Sequence, residues 1–255
     1  MSDALHIAAT GMQAQQLQLE AIASNMANVS TPAYKKTRVS FADLVVRDTA
    51  ATAASQAPAR AGAGVSAAAI TRVFDAGEIR KTESPFDVAI QGEGFLEVML
   101  ADGARGFTRG GTLKVNADGQ LATVAGHPLK PGVHVPSGAQ DLVILADGRV
   151  QVRMAGQSTP MEIGQLELVR LANPHALRVQ GDGIYRHTEA AGDGMGARPG
   201  EEGVGTLAQG FLEGSNVKLV DEMVSLMIAQ RSYEASVKVV QAADEMMGLV
   251  NGLRR

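Results

Sequence analysis

From Val217 to Leu253 the chain has no proline and no glycine before Gly248, and its apolar positions recur with a helical period. Gly214 breaks what precedes, Ser215 and Asn216 are good N-cap residues, and Asp221 and Glu222 place negative charge where the helix macrodipole favours it. The pattern predicts one helix, roughly 50 Å long at about 1.5 Å per residue. Its apolar side chains fall on two stripes. Leu219, Met223, Leu226, Tyr233, Val237, Val240 and Met247 alternate steps of four and three, with polar interruptions at Gln230 and Asp244, which is heptad spacing. Val217, Val220, Val224, Met227 and Ile228 cover an adjacent face of the N-terminal half. One partner helix buries one stripe. Leaving four such side chains in water forgoes on the order of 8 kcal/mol, as much as the whole stability of a typical domain. A second neighbour is therefore expected, either within the chain or from another molecule.

The other end repeats the theme. Asp3 is a plausible N-cap, and Leu5, Ala8, Met12, Leu19, Ile22, Met26 and Val29 share one stripe broken only at Gln15, so a helix is predicted from Asp3 to about Asn28. Thr31-Pro32 stops it. Residues 33–41 alternate apolar and polar positions and predict an extended segment; the charges of Lys35, Lys36 and Arg38 read as a solvated face or as salt-bridge partners. Residues 46–69 collapse to Ala, Ser, Thr, Gly and Pro, which predicts a linker or a loop ordered only against a neighbour. From 70 to 188 the period changes to two, in runs such as Phe86–Ile90, Phe95–Met99, Leu142–Leu145, Val150–Val152 and Leu166–Val169. Asp102-Gly103, Asp118-Gly119 and Asp147-Gly148 lie between such runs as hairpin turns. Residues 189–210 are glycine-rich and predict a second flexible joint. The fold class is α+β: an N-terminal helix and extended segment (1–45) and a C-terminal helical segment (211–255), the two helices pairing as a coiled-coil-like layer, with an antiparallel β-rich domain strung between the joints.

Composition removes most chemistry. A net charge of −4 argues against nucleic acid and against a polybasic membrane-surface protein, and the absence of cysteine removes disulfides, thiolate metal sites and thiol nucleophiles. Aromatics at 4% and no tryptophan suit helix seams better than an aromatic-lined pocket. No stretch approaches the ~20 apolar residues a bilayer span needs, and the N-terminus lacks a basic and apolar secretory leader. That predicts either a cytoplasmic protein or export by a route that reads no cleaved signal. Gly92-Glu93-Gly94 fails as a dinucleotide fingerprint, since Glu97 holds the third glycine position and a strand follows; it reads as a pair of hairpin glycines. His6, His127, His134, His175 and His187 show no metal-ligand spacing, and the carboxylates are unclustered. No catalytic, cofactor or metal site is predicted. Terminal helices around a β-module, with one helix face unsatisfied, describe an assembly subunit.

Two terminal motifs then carry a resemblance. Ala23-Ser24-Asn25-Met26-Ala27-Asn28-Val29-Ser30-Thr31 with Tyr34-Lys35 resembles the N-terminal signature of the bacterial flagellar rod and hook family. Gly210-Phe211-Leu212-Glu213-Gly214-Ser215-Asn216-Val217, with Glu222, Gln230-Arg231-Ser232-Tyr233-Glu234 and Lys238-Val239-Val240, is similar to its other end. Asp87 to Phe95, Phe107 to Gly111 and Asn116 to Leu121 resemble its central domain. Within the family, Gly164-Gln165-Leu166-Glu167-Leu168 and Gln230 to Glu234 favour a subunit of the distal over the proximal rod, and hook proteins usually carry a larger central region. The 46–69 tract falls where distal rod subunits carry a stretch of their own.

The resemblance implies a structural subunit of a helical tube that transmits torque from motor to hook across the periplasm, exported unfolded through the flagellar type III apparatus. Implied partners are further copies of the chain, proximal rod proteins, the hook protein, and the P-ring and L-ring proteins, with no membrane insertion. The motif residues it marks are Asn25, Asn28, Ser30, Thr31, Ser215, Asn216, Gln230, Arg231, Tyr233 and Glu234. A proximal rod or hook-type subunit is the alternative; a cell-wall enzyme, more remote, would need paired carboxylates in a cleft.

Overall fold

Helical periodicity is confined to the two ends of the chain, and strands fill what lies between, in the residues that the computed structural model describes: 2–47, 60–156, 159–201 and 203–252. The chain divides into two units, one formed by residues 1–27, 37–72 and 218–255, the other by 28–36 and 73–217.

The first unit holds helix α1 (Ser2–Ala27), an antiparallel ribbon of β1 (Thr37–Arg47) and β2 (Arg60–Arg72), and helix α2 (Leu219–Gly252). A two-stranded ribbon is marginal by itself, and here α1 packs along both strands. Gly64, at φ +111°, permits the close approach: a Cβ there would collide with Thr10 Oγ1. That hydroxyl donates to Ile7 O (2.9 Å) and accepts from the Val65 N–H (3.3 Å).

Residues 60–69, expected within a linker, lie instead in β2; residues 48–59 are outside the described residues. Small side chains bury little, but their backbone still offers a full ladder of donors and acceptors. β2 is therefore held by its ladder to β1 and by packing against α1.

The second unit is antiparallel throughout. Its short sheet pairs β3 (Ile79–Lys81) with β18 (Phe211–Glu213). A four-stranded sheet runs β17 (Thr206–Gln209), β4 (Asp87–Gln91), β7 (Gly110–Val115), β8 (Leu121–Thr123). The largest runs β14 (Arg178–Gly181), β15 (Ile184–Arg186), β6 (Arg105–Thr108), β5 (Phe95–Met99), β13 (Leu168–Arg170), β16 (Met195–Ala197), with β9 (Leu129–Lys130) also on β5. A fourth joins β10 (Ala139–Ile144), β11 (Arg149–Met154) and β12 (Met161–Gln165).

Strand alternation splits the core. Leu96 and Val98 of β5 join Val88, Ile90, Leu113, Val150, Leu166 and Leu168 in the main cluster. Phe95, one residue out of phase, joins Phe107, Val169 and Tyr185 in a second cluster. Phe86–Ile90, Phe95–Met99, Leu142–Leu145 and Val150–Val152 fall on β4, β5, β10 and β11, of the run Leu166–Val169 only Leu168 and Val169 are in a strand, and all three Asp-Gly hairpins are present.

Two expectations change. β4 and β5 do not pair, so Gly92-Glu93-Gly94 is a corner between sheets rather than a hairpin turn. Residues 189–210, expected as a flexible joint, contribute β16 and β17 to two sheets. The glycines there include left-handed turn positions between those strands, Gly200 (φ +88°) and Gly203 (φ +75°), where a residue without a Cβ suits a fixed turn as well as a loose one.

Leu96 is buried in the main cluster, so Leu96→Ala is expected to cost about 2–5 kcal/mol, read as a lowered urea midpoint with an unchanged m-value.

Candidate assembly site

Helix α2 packs against α1, and its covered side mixes small residues with a few larger apolar ones. Glu222 and Ala229 are buried; Ser225, Leu226, Ser232, Ser236, Val237, Val240, Ala243 and Met247 are half-buried at steps of three and four. Alanine and serine on this line let two helix backbones come close. Near its start, the buried Asn25 of α1 joins three elements: its Nδ2 donates to Glu222 Oε2 (3.2 Å) and Thr37 O (3.0 Å), and its Oδ1 accepts from the Thr37 N–H (2.8 Å).

The two predicted stripes are redistributed around this seam. Leu226, Val237, Val240 and Met247 of the heptad stripe lie on the covered side, whereas Leu219, Met223 and Tyr233 are exposed. Of the second stripe, Val220 (72% exposed), Val224, Met227 and Ile228 (59%) are in the open, as are Gln230, Arg231 and Glu234. Val217 is a correction: it precedes α2, belongs to the other unit and is buried. On α1, Ile22 is buried and Ala8, Met12, Leu19 and Met26 are half-buried, while the side chain of Leu5 lies outside the described residues.

The remaining motif residues lie in the second unit, around a buried carboxylate that the sequence did not single out. Glu213 Oε1 accepts from Lys35 Nζ (2.7 Å) and from the Gly77 N–H (2.8 Å), and Oε2 accepts from Arg109 Nε (3.1 Å). All three charged side chains are buried. Lys35 Nζ also donates to Asp75 O (2.7 Å), and the Arg109 guanidinium, lying over the Phe95 ring, donates to Gly94 O (2.6 Å) and Gly92 O (2.9 Å).

Burial alone would raise the Glu213 pKa, but the attraction of Arg109 and Lys35 and the Lys35 hydrogen bond outweigh it and hold the group below the usual glutamate range. Lys35 is pushed down from the ordinary lysine value, chiefly by burial, with repulsion from Arg109 adding to it against the pull of Glu213. The two cations thus hold the Glu213 charge, while burial works against that of Lys35.

Neighbouring polar side chains work in the same way. Asn216 Oδ1 accepts from the Lys36 N–H (2.7 Å) and its Nδ2 donates to Val73 O (2.8 Å) and Asp75 O (3.1 Å). Gln209 substitutes for a strand along the edge of β10, its Nε2 donating to Leu142 O (2.8 Å) and its Oε1 accepting from the Ile144 N–H (3.0 Å). Ser215 Oγ accepts from the Val217 N–H, Thr31 Oγ1 donates to Asn28 Oδ1, and Ser30 is exposed. Among the described residues no cluster of His, Asp and Glu could hold a metal ion, and no helix is long and apolar enough to cross a membrane.

Both ends of the chain and its centre match family models. Residues 5–35 match the flagella basal body rod protein model, 89–152 the flagellar hook protein FlgE/F/G D1 domain, and 208–253 the flagellar basal body rod FlgEFG protein C-terminal model. The flagellar basal-body rod protein FlgG of Caulobacter vibrioides is 38% identical across 98% of this chain and 99% of its own length. The FlgG protein of Borreliella burgdorferi is 37% identical across the whole of both chains. The FlgF rod protein of Salmonella typhimurium is 34% identical over 96% of each.

The chain belongs to the flagellar basal-body rod protein family. It is a structural subunit of the distal rod, located in the flagellar basal body and assembling there with other flagellar components.

In this rod subunit, Glu213 contributes stability that is present above the ordinary glutamate range and is lost as pH falls through its depressed folded-state value. The urea midpoint is expected to drop on acidification below about pH 4, and Glu213→Gln is expected to make that slope shallower. At neutral pH the same substitution is expected to cost about 3–5 kcal/mol, because it leaves two buried cations without their shared counter-charge.

Proposed function

We propose that this rod subunit polymerises through the uncovered face of α2 into a rigid helical tube that carries torque from the motor to the hook. The observation that carries the reading is the row Val220, Val224, Met227 and Ile228, exposed along a helix whose covered side is already occupied by α1. Leu219, Met223 and Tyr233 widen that surface. Burying such a face against neighbouring copies gains roughly 1.5–3 kcal/mol per side chain. Repeated in every subunit of a lattice, a modest apolar contact gives stiffness without any one strong bond.

In this reading α1 and α2 pair as a coiled-coil-like layer of the tube. The stripe residues of α1 are Leu5, Ala8, Met12, Leu19, Ile22 and Met26; those of α2 are Leu226, Val237 and Val240. The tube spans the periplasm between proximal rod proteins and the hook protein, inside the P and L rings, and the subunit arrives through the flagellar type III export apparatus without a cleaved signal. It carries no catalytic role.

Val220→Glu is expected to abolish tube formation by purified subunit, seen by negative-stain electron microscopy, while circular dichroism of the monomer stays unchanged. Tubes of normal length from that variant would contradict the interface.

A further inference from the structure

The segment from Gln209 to Asn216 crosses the β-rich unit as a strap, and each of its three longer polar side chains serves a different remote piece of chain. Gln209 seals the edge of β10, Glu213 sits between Lys35 and Arg109, and Asn216 ties Lys36 to residues 73–75. The strap also holds the arm Asn28–Lys36 by its backbone: the Ala33 N–H donates to Glu213 O (2.7 Å) and the Asn216 N–H donates to Tyr34 O (3.3 Å). The docked shape of the arm is not a relaxed one. Ala33 sits at φ +56°, in the left-handed region that a residue with a Cβ disfavours.

We propose that this strap is a charge-gated latch: until Glu213 lies between Lys35 and Arg109, the arm Asn28–Lys36 does not dock, so the order of one end of the chain depends on delivery of the other. Arg109 is fixed within the β-rich unit by the carbonyls of Gly92 and Gly94. An arm arriving first would have to bury the Lys35 ammonium beside that guanidinium with no carboxylate between them. Like charges out of water repel strongly, and each loses its hydration. With Glu213 in place the same ammonium gains a partner at 2.7 Å, and Asn216 and the Glu213 carbonyl then complete the backbone bonds of the arm. The latch joins positions 35, 109 and 213, which are far apart in sequence, so it forms only after most of the chain has been placed. It acts within one subunit and does not depend on the assembly surface proposed above.

Hydrogen exchange with mass spectrometry on the full-length monomer tests it, in wild type, Glu213→Gln, Lys35→Met and the double variant. In Glu213→Gln, amides of residues 28–36 are expected to exchange at least tenfold faster together with those of 211–217, while β5 and β6 keep wild-type protection. Removing the ammonium as well removes the repulsion, so the double variant is expected to recover arm protection relative to Glu213→Gln alone. Should Glu213→Gln unfold the whole β-rich unit, the double variant is expected to restore protection in β5. The latch is overturned if residues 28–36 keep wild-type protection in Glu213→Gln, or if the two substitutions merely add their losses.

Discussion

One carboxylate balancing two buried cations is the constraint around which the β-rich unit closes. Isolated charges out of water are costly, and a pair survives there only when geometry and extra hydrogen bonds satisfy every group. Glu213 meets that condition through Lys35, Arg109 and the Gly77 N–H, and in doing so fixes the arm that follows α1, the corner at residues 92–94 and the strand that leads back toward α2. Its neighbours Gln209, Ser215 and Asn216 extend the same logic with neutral groups, each completing backbone donors or acceptors that no sheet ladder reaches. The motif at the C-terminal end of the chain is thus a run of polar side chains spent on internal contacts rather than a surface for a ligand.

Helix α2 obeys the opposite economy. Its small residues face α1 while Val220, Met227 and Ile228 remain in water, an arrangement that is unfavourable for a monomer and useful for a subunit that must add to a growing structure. A fold with its charges satisfied inside one unit and its apolar side chains unsatisfied on another can be stable enough to persist and still gain free energy on assembly.

Much of this was legible in the residues themselves. The change of period from helical to two located both helices and the central strands β4, β5, β10 and β11, and the Asp-Gly pairs located hairpin turns, because these signals are local. The second stripe on α2 was legible as an unpartnered face for the same reason. What escaped were pairings between distant segments. Lys35 looked like part of a basic run and is buried on a carboxylate 178 residues away. Residues 60–69 and 189–210 looked loose because low complexity and glycine are ambiguous between a mobile joint and a tightly turned strand; only the partner strand decides. The covered side of α2 was legible in part: Leu226, Val237, Val240 and Met247 of the heptad stripe lie on it, but its small residues Ala229, Ser232 and Ser236 carry no large apolar side chain that would mark them in the sequence.

In an assembled rod built this way, the open face of α2 becomes an interior surface. The chain has no cysteine, so a single Ile228→Cys substitution gives an unambiguous probe. Its maleimide labelling rate, measured in the monomer and in assembled rods, should fall at least tenfold on assembly. Equal labelling in both states would show that α2 stays exposed in the rod and would remove the basis of the account.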